Sequence, residues 1–456
     1  MGLGLHGGAV ETVRFFAEAG AKVIATDLKS EKELKGSIEK LSDSKNIEFI
    51  LGQHRIEDFE NVDIVVKGPS VPWNSKHIQT ALAKKIPVEM DSSLFFKMCP
   101  CPIIGITGTK GKTTTSTLIV EMLKTAGKKV YPVGIGQKPV IDTLEKIGNS
   151  KDGVVVFELS SWRLSALGRE KLSPHIAVVT NIFPDHLNYY GSMEKYVADK
   201  KYIFANQKPE DYVVLNYDNE AARALAGEVK SNLIFFSTEK IEKNNCVFIE
   251  RGKIIHKNNS GIREICDLND IKLRGGHNIS NILAATGAVI ASGVSPEKIC
   301  EAVRNFKGVP HRLELVREID GVKYVNDTAA TMPDAAIAGI NSFSEPVILI
   351  AGGADKNLEF DKFAKAILEK VKKIIFLKGE ATEKMKKYLG NLASQEEAKF
   401  PIIDSEFDSM EAAVKRAKDI AHSGDVVLLS PGAASFGLFL NEFDRGERFR
   451  EAVGKL

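Results

Sequence analysis

The sequence predicts an α/β protein with three domains, each built on a largely parallel sheet. Three observations support this prediction. With 456 residues, the chain is too long for a single hydrophobic core and fits about three domains of ordinary size. Short apolar runs alternate with amphipathic helical patterns along the whole chain, as in successive βαβ units. Several of these runs are rich in β-branched residues and almost continuously apolar, which is typical of strands covered on both faces.

Composition and charge exclude several classes of protein. Hydrophobic residues make up 43% of the chain and charged residues 27%, which is ordinary for a folded globular protein. The 62 basic and 60 acidic residues give a net charge of +2, so no overall field favours nucleic acid or an anionic membrane. We therefore expect neither as a partner, and any anion must be bound locally.

The lack of a recognisable targeting signal and the scattered cysteines predict a cytoplasmic protein. The first twenty residues lack the basic and apolar regions of a signal peptide, and no apolar run approaches the ~20 residues that span a bilayer. The five cysteines are odd in number and scattered, which argues against a disulfide framework and for a reducing compartment. Cys99 and Cys101 are separated by one residue, which favours ordinary thiols over a zinc pair.

The first predicted domain, residues 1–94, carries strands at 21–27, 62–68 and 85–91. Its opening turn, GLGLHG at 2–7, fits the G-x-G-x-x-G pattern, and Asp27 follows about twenty residues later, as in a Rossmann-like domain. The strand that should precede Gly2 is missing, so either the natural chain starts further upstream or this edge of the sheet is built differently. The alternative is a tight strand-helix turn without a ligand.

The second predicted domain, residues 95–309, has strands at 154–160, 175–181 and 212–217 and a loop of the phosphate-binding kind, GITGTKGKTT at 105–114. An apolar strand precedes this loop, and a helical pattern follows it as far as Gly127. In such loops backbone N–H groups and the helix N-terminus face the phosphates, while Lys112 would meet the terminal phosphates and Thr113 would ligate magnesium. We predict a central P-loop domain with a parallel sheet, although Ile106 stands where the usual pattern has glycine and Gly108 takes over instead.

Two neighbouring strand ends supply candidate metal ligands. Glu158 ends one predicted strand, and Asp185 and His186 follow another. Ligands gather at the carboxyl ends of parallel strands, so these side chains should lie beside the phosphate loop. Glu158 is the first candidate for Mg²⁺, which Asp185 or His186 could join. Taken singly, each would be interpreted as a salt-bridge partner or a surface turn.

The third predicted domain, residues 310–456, repeats the alternation of strand and helix and is predicted to be Rossmann-like. Its strands are expected at 321–327, 346–353, 372–379 and 425–432.

Seven sequence blocks occur in a characteristic order: TGTKGKTT at 107–114, ELSSW at 158–162, TNIFPDHLNYY at 180–190, YVADKKYIF at 196–204, GGHNISNILAA at 275–285, HRLE at 311–314 and ND at 326–327. In this order they resemble the Mur ligases, and the resemblance covers essentially the whole chain. The overall length, the N-terminal GLGLHGG, AGGADKN at 351–357 and SPGAASFGLFLNEFDRGERF at 430–449 resemble most the members that add D-glutamate.

This resemblance implies an ATP-dependent amide ligase of cytoplasmic peptidoglycan precursor synthesis, acting as a monomer. The first domain would bind the UDP-sugar, the second ATP, and the third would close over both with the incoming amino acid. ATP would phosphorylate the carboxylate of UDP-N-acetylmuramoyl-L-alanine, and D-glutamate would displace phosphate from the acyl phosphate, with two magnesium ions stabilising charge. Closure would exclude water from the acyl phosphate.

The resemblance also implies roles for individual residues. Lys200, chosen over its neighbour Lys201, corresponds to a lysine that is carbamylated to become a metal ligand. The residues implied to bind ATP are Gly108, Thr109, Lys110, Gly111, Lys112, Thr113, Thr114, Asn278, Asn281, Arg312 and Asp327. Those for the metal ions are Thr113, Glu158, His186 and Lys200; for the UDP-sugar Gly4, Leu5, His6 and Asp27; and for D-glutamate Lys356 and Ser435. The catalytic set would be Lys112, Glu158, His186, Lys200 and Arg312.

Two departures and four alternatives remain at this point. Gly134 stands where the family has asparagine in Asn-Ile-Gly, and Ala329 stands where many D-glutamate-adding members have lysine. Another Mur ligase or a folylpolyglutamate synthetase-like ligase would share the ATP chemistry but take another acceptor. An NAD-dependent dehydrogenase would use the Gly2–Gly7 turn but leave Lys112, Glu158 and His186 unexplained. A non-catalytic ATP-binding protein would have no use for Lys200.

Overall fold

The computed structural model describes residues 1–4, 8–137, 140–273, 275–356, 358–396 and 402–456. They form two compact units, Met1–Lys272 with Gly276–Phe306 and Leu273–Gly275 with Lys307–Leu456. Both are α/β, as predicted. The two units divide after Phe306, a few residues before the predicted boundary at residues 309 and 310, which stays a prediction. The predicted boundary at residue 94 falls inside the first unit and stays a prediction.

The first unit alternates strands and helices over most of its length. Its strands are β1 (Val23–Asp27), β2 (Ile47–Leu51), β3 (Val65–Val66), β4 (Val88–Glu89), β5 (Ile103–Thr107), β6 (Val130–Val133), β7 (Val154–Glu158), β8 (Ile176–Val179), β9 (Tyr212–Asn216), β10 (Asn232–Ser237), β11 (Cys246–Glu250), β12 (Lys253–Asn258) and β13 (Gly261–Asp267). Its α-helices are α1 (Gly8–Glu18), α2 (Glu31–Glu39), α3 (Lys76–Ala83), α4 (Asp91–Met98), α5 (Lys112–Thr125), α6 (Asp142–Ile147), α7 (Ser161–Arg169), α8 (Leu187–Tyr190), α9 (Met193–Lys201), α10 (Glu220–Ala224), α11 (Gly276–Ala291) and α12 (Pro296–Asn305).

The largest sheet has the order β13-β12-β11-β10-β9-β8-β5-β7-β6. From β11 to β6 all neighbours are parallel, and their apolar residues are buried by helices on both faces, as the near-continuous apolar runs predicted. The hairpin strands β12 and β13 extend the sheet in antiparallel fashion, which the sequence analysis did not predict. Strand β5, which leads into the phosphate loop, lies between β7 and β8.

Residues 1 and 2 lie between β1 and β3, where the pattern of the opening turn predicts a strand. Gly2 N donates to Thr26 O of β1 at 2.8 Å, while Met1 N donates to Val66 O of β3 at 2.9 Å. Gly68 N returns a bond to Met1 O at 2.8 Å. Residues 1–2 therefore connect the parallel pairs β1-β2 and β3-β4.

The second unit is a mixed sheet of order β14-β15-β19-β16-β17-β18, in which only β14 and β15 are antiparallel. Its strands are β14 (Glu314–Ile319), β15 (Val322–Asn326), β16 (Val347–Gly352), β17 (Val371–Leu377), β18 (Ile402–Phe407) and β19 (Val426–Leu429). Its helices are α13 (Pro333–Asn341), α14 (Asp361–Lys370), α15 (Glu380–Glu396), α16 (Met410–Ile420) and α17 (Glu442–Gly454). Separate apolar clusters cover the two faces of this sheet.

Within the described ranges, no helix combines the length and the apolar character needed to cross a membrane.

Candidate functional site

The loop between β5 and α5 depends on two glycines for its shape. Gly108 has φ 149° and Gly111 has φ 83°. A Cβ atom on Gly108 would lie 1.9 Å from Thr180 Oγ1, and one on Gly111 would lie 2.2 Å from Asn281 Oδ1. A side chain at Gly108 would therefore force Thr180 to move, and one at Gly111 would force Asn281 to move. The loop needs glycine at both positions although its spacing departs from the usual pattern.

The end of β8 fixes this loop from one side. Asn181 Oδ1 accepts from Lys110 N at 2.8 Å, and Asn181 Nδ2 donates to Lys110 O at 3.0 Å. Thr180 Oγ1 donates to the same carbonyl at 2.6 Å, and Thr109 N donates to Asn181 O at 2.9 Å. Neither Thr180 nor Asn181 was predicted as a site residue from the sequence. Their place at a strand end, at the start of the TNIFPDH block, is the signal that could have identified them.

Lys112 begins α5 and folds back over the loop. Its Nζ donates to Gly108 O at 3.0 Å and to Thr109 O at 3.1 Å. Thr113 follows it in the first turn of the helix and is only partly buried. A lysine ammonium group, a helix N-terminus and glycine-rich backbone thus meet at one place, an arrangement that attracts phosphate oxygens.

Glu158 lies at the end of β7, and its neighbour across the ladder is Ile106 of β5. Its Oε2 atom is buried and has no hydrogen-bond partner among the described residues. A buried carboxylate oxygen without a partner is destabilising. A hard cation such as Mg²⁺, which prefers oxygen ligands, would remove this cost by binding to the oxygen. The donor set at this edge of the sheet therefore fits Mg²⁺.

Lys200 of α9 is only 1% exposed and lies against the phosphate loop. Its Nζ donates to Gly108 O at 3.0 Å and lies 4.7 Å from the centre of the Tyr196 ring. Burial, reinforced by the nearby charge of Lys112, holds the pKa of Lys200 well below its usual range. Lys201 instead forms an ion pair with Glu228, so Lys200 is the lysine that faces the loop.

Asp185 and His186 stand at the start of α8. His186 has φ 53°, its ring is exposed, and it lies 4.9 Å from the ring of Trp162. Asp185 Oδ1 accepts from His186 N at 2.9 Å and so supports this left-handed turn. The imidazole is held against an aromatic side chain and remains accessible.

Asp199, next to Lys200, was not selected from the sequence. Burial raises its pKa to about 6, although the hydrogen bond with Tyr190 and the charges of Arg169, Lys67 and Lys200 oppose the shift. The carboxyl group next to Lys200 can therefore change charge near neutral pH.

Asn278 and Asn281 are buried on the first turns of α11 and pack against the beginning of α5. Asn281 Nδ2 donates to Asn278 Oδ1 at 3.3 Å, and Thr115 Oγ1 donates to Asn281 Oδ1 at 3.4 Å. These contacts place Asn281 beside Gly111, and both asparagines are buried.

The glycine turn of residues 2–7 is described only in part, since Leu5 and His6 lie outside the described residues. Gly4 N donates to Asp27 Oδ2 at 2.9 Å, and Lys29 N donates to Asp27 Oδ1 at 2.9 Å. The Asp27 carboxylate therefore connects the turn to the end of β1.

Gly134 stands where the family pattern has asparagine. A Cβ atom here would lie 3.0 Å from Arg163 Nη1 and 3.0 Å from Glu158 O. Arg163 is held in place by Asp91, whose Oδ2 lies 2.9 Å from its Nη2. The Arg163 guanidinium thus fills space that a side chain at position 134 would need.

The second unit contains the remaining predicted residues. Asp327 is buried, and its oxygens accept from Leu313 N at 3.2 Å and from Ser430 Oγ at 2.8 Å. Burial raises the pKa of Asp327 to about 7 against the opposing effect of these bonds and of the Arg312 charge. Arg312 itself is exposed.

Lys356 and Ser435, the candidates for binding an amino acid, lie on two loops of this unit. Lys356 is exposed, with Nζ 5.8 Å from the centre of the Phe436 ring, whereas Ser435 is 3% exposed. Ala354 and Ala434 form a bridge that joins the two loops. The two candidates are therefore carried by connected segments.

Arg445 of α17 donates hydrogen bonds to the segment that leads to Ser435 and to the segment after β15. It was not predicted as a site residue from the sequence. It is completely buried. Its Nε and Nη2 donate to Thr328 Oγ1 at 2.9 Å and Thr328 O at 3.0 Å, and its Nη1 donates to Ala433 O at 3.1 Å. Desolvation lowers the pKa of this guanidinium to about 10. A single cation thus fixes the segment after β15 to the segment before Ser435.

Three family models match the chain. The "Mur ligase MurD-like, N-terminal domain" model matches residues 1–89, the "Mur ligase middle domain" model matches residues 106–289, and the "Mur ligase, glutamate ligase domain" model matches residues 311–432.

Curated relatives match over nearly the whole chain. A protein of Roseiflexus sp. (strain RS-1), named UDP-N-acetylmuramoylalanine--D-glutamate ligase, is 44% identical over 99% of this chain and 97% of its own length. A protein of the same name from Clostridioides difficile (strain 630) is 37% identical over 100% of this chain and 98% of its own length.

Among solved structures, a UDP-N-acetylmuramate-alanine ligase of Thermotoga maritima has a TM-score of 0.60 at 21% identity, covering 98% of this chain and 97% of that one. An ADP complex of MurF ligase, also from Thermotoga maritima, has a TM-score of 0.58 at 18% identity and covers 95% of each chain. At these identities the similarity concerns the fold.

Proposed function

The chain belongs to the Mur ligase family, and from that premise we propose that it joins D-glutamate to UDP-N-acetylmuramoyl-L-alanine with ATP as phosphoryl donor. The observation that carries the proposal is the arrangement around the phosphate loop. Lys112 Nζ and Lys200 Nζ both donate to Gly108 O, while the end of the neighbouring strand supplies the unpartnered Oε2 of Glu158. This combination suits phosphoryl transfer, because cationic, backbone N–H and metal-ligating groups converge where phosphate charge would develop.

The proposed reaction has two steps. In the first, the L-alanyl carboxylate oxygen attacks the γ-phosphorus of ATP, the bond to the β-phosphate oxygen breaks, and ADP leaves. Lys112, the α5 N-terminus and Arg312 stabilise the negative charge on the transferred group. In the second step, the D-glutamate amine attacks the acyl-phosphate carbonyl, an amide forms, and inorganic phosphate leaves as the amine loses a proton.

Magnesium would be held by Glu158, with Thr113 and His186 as further ligands, and would neutralise charge on the phosphates when bound. Support for Glu158 comes from its buried, unpartnered oxygen at the end of β7. The exposed imidazole of His186, oriented by Trp162, is available to a ligand. Two ions are part of the proposal.

Lys200 is proposed to be carbamylated. Only the neutral amine reacts with carbon dioxide, and burial lowers the pKa of Lys200 so that this form is accessible. The product is a carbamate anion and a released proton, which replaces a buried cation by a carboxylate-like metal ligand. Relief of the repulsion between Lys200 and Lys112 also favours the modification.

We propose that residues 1–94, 95–309 and 310–456 form three functional domains. The remaining substrate contacts are divided among these domains. Asn278, Asn281 and Asp327 would complete the ATP site, together with Gly108, Thr109, Lys110, Gly111 and Thr114. Gly4, Leu5, His6 and Asp27 would bind the UDP-sugar. We also propose that the protein acts as a cytoplasmic monomer.

D-glutamate would be bound by Lys356 and Ser435. Since Ala329 supplies no cation, Lys356 is the charge assigned to the amino-acid carboxylates, and its position beside Phe436 leaves the ammonium group exposed for this role. Arg445 holds the loop of Ser435 through Ala433 O, and the Ala354–Ala434 bridge joins that loop to the loop of Lys356.

The test is the substrate dependence of phosphate release by the full-length chain with magnesium and ATP. Release should require UDP-N-acetylmuramoyl-L-alanine and D-glutamate together, and L-glutamate should not replace D-glutamate. Lys112→Ala should lose the activity, whereas Lys124→Ala on the same helix, an exposed residue paired with Glu121, should retain it. Release with UDP-N-acetylmuramate and L-alanine, or with a folate and glutamate, would instead assign another member of the ligase class.

A further inference from the structure

A pair of cysteines lies outside the proposed catalytic site. Cys266 is buried on β13, and Cys300 is half-buried on α12, which packs against that strand. Their Sγ atoms are 2.7 Å apart. We propose that Cys266 and Cys300 are a reversible redox site that closes to an intramolecular disulfide. The proposal is independent of the substrate that the ligase takes.

The surroundings favour a disulfide over a metal centre. Asp270 could complete a set of metal ligands with the two thiols, because its Oδ2 lies 4.0 Å from Cys266 Sγ. However, Arg304 Nη2 donates to this same Oδ2 at 2.6 Å. Two thiolates on a tetrahedral zinc ion would stand about 3.8 Å apart, given bonds of about 2.3 Å. The sulfurs are already closer than that, and the carboxylate is engaged by a cation.

Closure needs an oxidant, for which a low-molecular-weight disulfide serves. The Cys300 sulfur, the more exposed of the two, attacks one sulfur of the reagent, and the other leaves as a thiol. The Cys266 sulfur then attacks the Cys300 sulfur, the protein disulfide forms, and the second half of the reagent leaves as a thiol with the proton of Cys266. The protein loses two hydrogen atoms, and one disulfide is reduced to two thiols. Because burial raises the pKa of Cys266 to about 12, the second step should be the slower one.

The cross-link would enclose an element of the proposed nucleotide site. Residues 266–300 contain the whole of α11, including Asn278 and Asn281 beside the phosphate loop. The chain also passes into the second unit soon after each cysteine, at Leu273 and at Lys307. Closing this ring should make unfolding of the first unit less favourable by restricting the unfolded chain.

The experiment treats the reduced full-length protein with glutathione disulfide and follows it by intact mass and peptide mapping. We expect the five free thiols to fall to three with a Cys266–Cys300 cross-linked peptide, recovery of all five with dithiothreitol, and a higher unfolding temperature for the oxidised form. Cys300→Ala should abolish ring closure, and Cys101→Ala should leave it intact.

Other results would overturn the proposal. A glutathione adduct that persists on either cysteine would mean that the sulfurs cannot join, as would five thiols that remain unreacted after prolonged treatment. One zinc ion per chain in the native mass spectrum of the wild type, lost in Cys266→Ala and protecting both thiols, would assign a metal site instead.

Discussion

At the scale of single residues, the buried amine of Lys200 gives the sharpest test of the metal site. Lys200→Ala should lower kcat about 10²–10³-fold, since it removes a charged group from beside the transferred phosphoryl group. Formate or acetate should restore part of the activity by placing a carboxylate in the vacated space. Lys201→Ala is the matched control, because that side chain pairs with Glu228 and should leave kcat unchanged. Full activity in Lys200→Ala would remove this lysine from the mechanism.

Asp327 should make the stability of the protein depend on pH. Its pKa is raised from 3.8 to about 7 in the folded state, so the folded state binds more protons than the unfolded state between these values. The free energy of unfolding should therefore fall as pH rises from about 4 to about 7, by a few kcal/mol at most. Urea unfolding across this range should show a shallower fall in Asp327→Asn. Asp334→Asn, at an exposed position, should retain the wild-type slope, and equal slopes in all three proteins would contradict the expectation.

The residues predicted from sequence were those whose chemistry is local. Glycines, lysines and carboxylates at strand ends can be recognised from their spacing and from a family pattern. Asn181 and Arg445 act on carbonyls of distant segments, Lys110 O and Ala433 O, and no local pattern specifies these contacts. The burial that shifts the pKa of Asp199 is likewise a consequence of packing.

At the scale of elements, the two ends of α5 allow a clean comparison. Gly111 and Gly127 have similar positive φ values, 83° and 76°, but a Cβ atom meets Asn281 Oδ1 at 2.2 Å in the first case and nothing within 4 Å in the second. Gly127→Ala should cost only about 1–2 kcal/mol of stability and keep nucleotide affinity. Gly111→Ala should lower stability by the same backbone strain. It should also weaken the affinity for magnesium–ADP at least tenfold, as measured by calorimetry. Equal affinities in the two variants would contradict the steric argument.

Helix α17 is the element that positions the proposed D-glutamate loops. Arg445→Met would leave Thr328 O and Ala433 O without their buried donor, which should lower stability by roughly 2–4 kcal/mol. It should also raise KM for D-glutamate with a smaller effect on KM for ATP. Arg448→Met, which removes an exposed pair with Asp444 on the same helix, is the control. An unchanged KM for D-glutamate in a folded Arg445→Met protein would limit this arginine to a role in stability.

The strands that were given ranges from the sequence lie within a few residues of observed strands, whereas β2, β6, β10 and β18 were not named and the hairpins of β11 to β13 were missed. Parallel strands buried on both faces give continuous apolar runs, of which VVVFE in β7 is an example. The hairpin β11-β12 turns at Arg251 and Gly252, both at positive φ, and only the second is a usual turn residue. The next hairpin turns at Asn259 and Ser260 between strands of mixed polarity. Neither turn carries the Asn-Gly or Asp-Gly signal.

At the scale of the whole molecule, the first predicted boundary is bridged by specific contacts. Trp73 Nε1 donates to Ser165 Oγ at 2.8 Å, and Asp91 pairs with Arg163, so segments on either side of residue 94 are connected. Composition and strand rhythm cannot reveal such bonds, because they join residues about seventy to ninety positions apart. The second boundary was predicted at residues 309 and 310 because a Gly-Val-Pro segment and a change of motif coincide there, and it stays a prediction.

The two units share no sheet and no apolar cluster among the described residues, so we expect two steps of unfolding in denaturant. Hydrogen exchange with mass spectrometry should separate them, with β5 and α11 reporting on the first unit and β16 and β19 on the second. Magnesium–ADP at 100 times its Kd should stabilise the first unit by about 2.7 kcal/mol, since the phosphate loop lies there. Lys112→Ala should keep both steps and lose this shift. If magnesium–ADP without an acceptor stabilised both units equally, the nucleotide would couple their unfolding, contrary to this expectation.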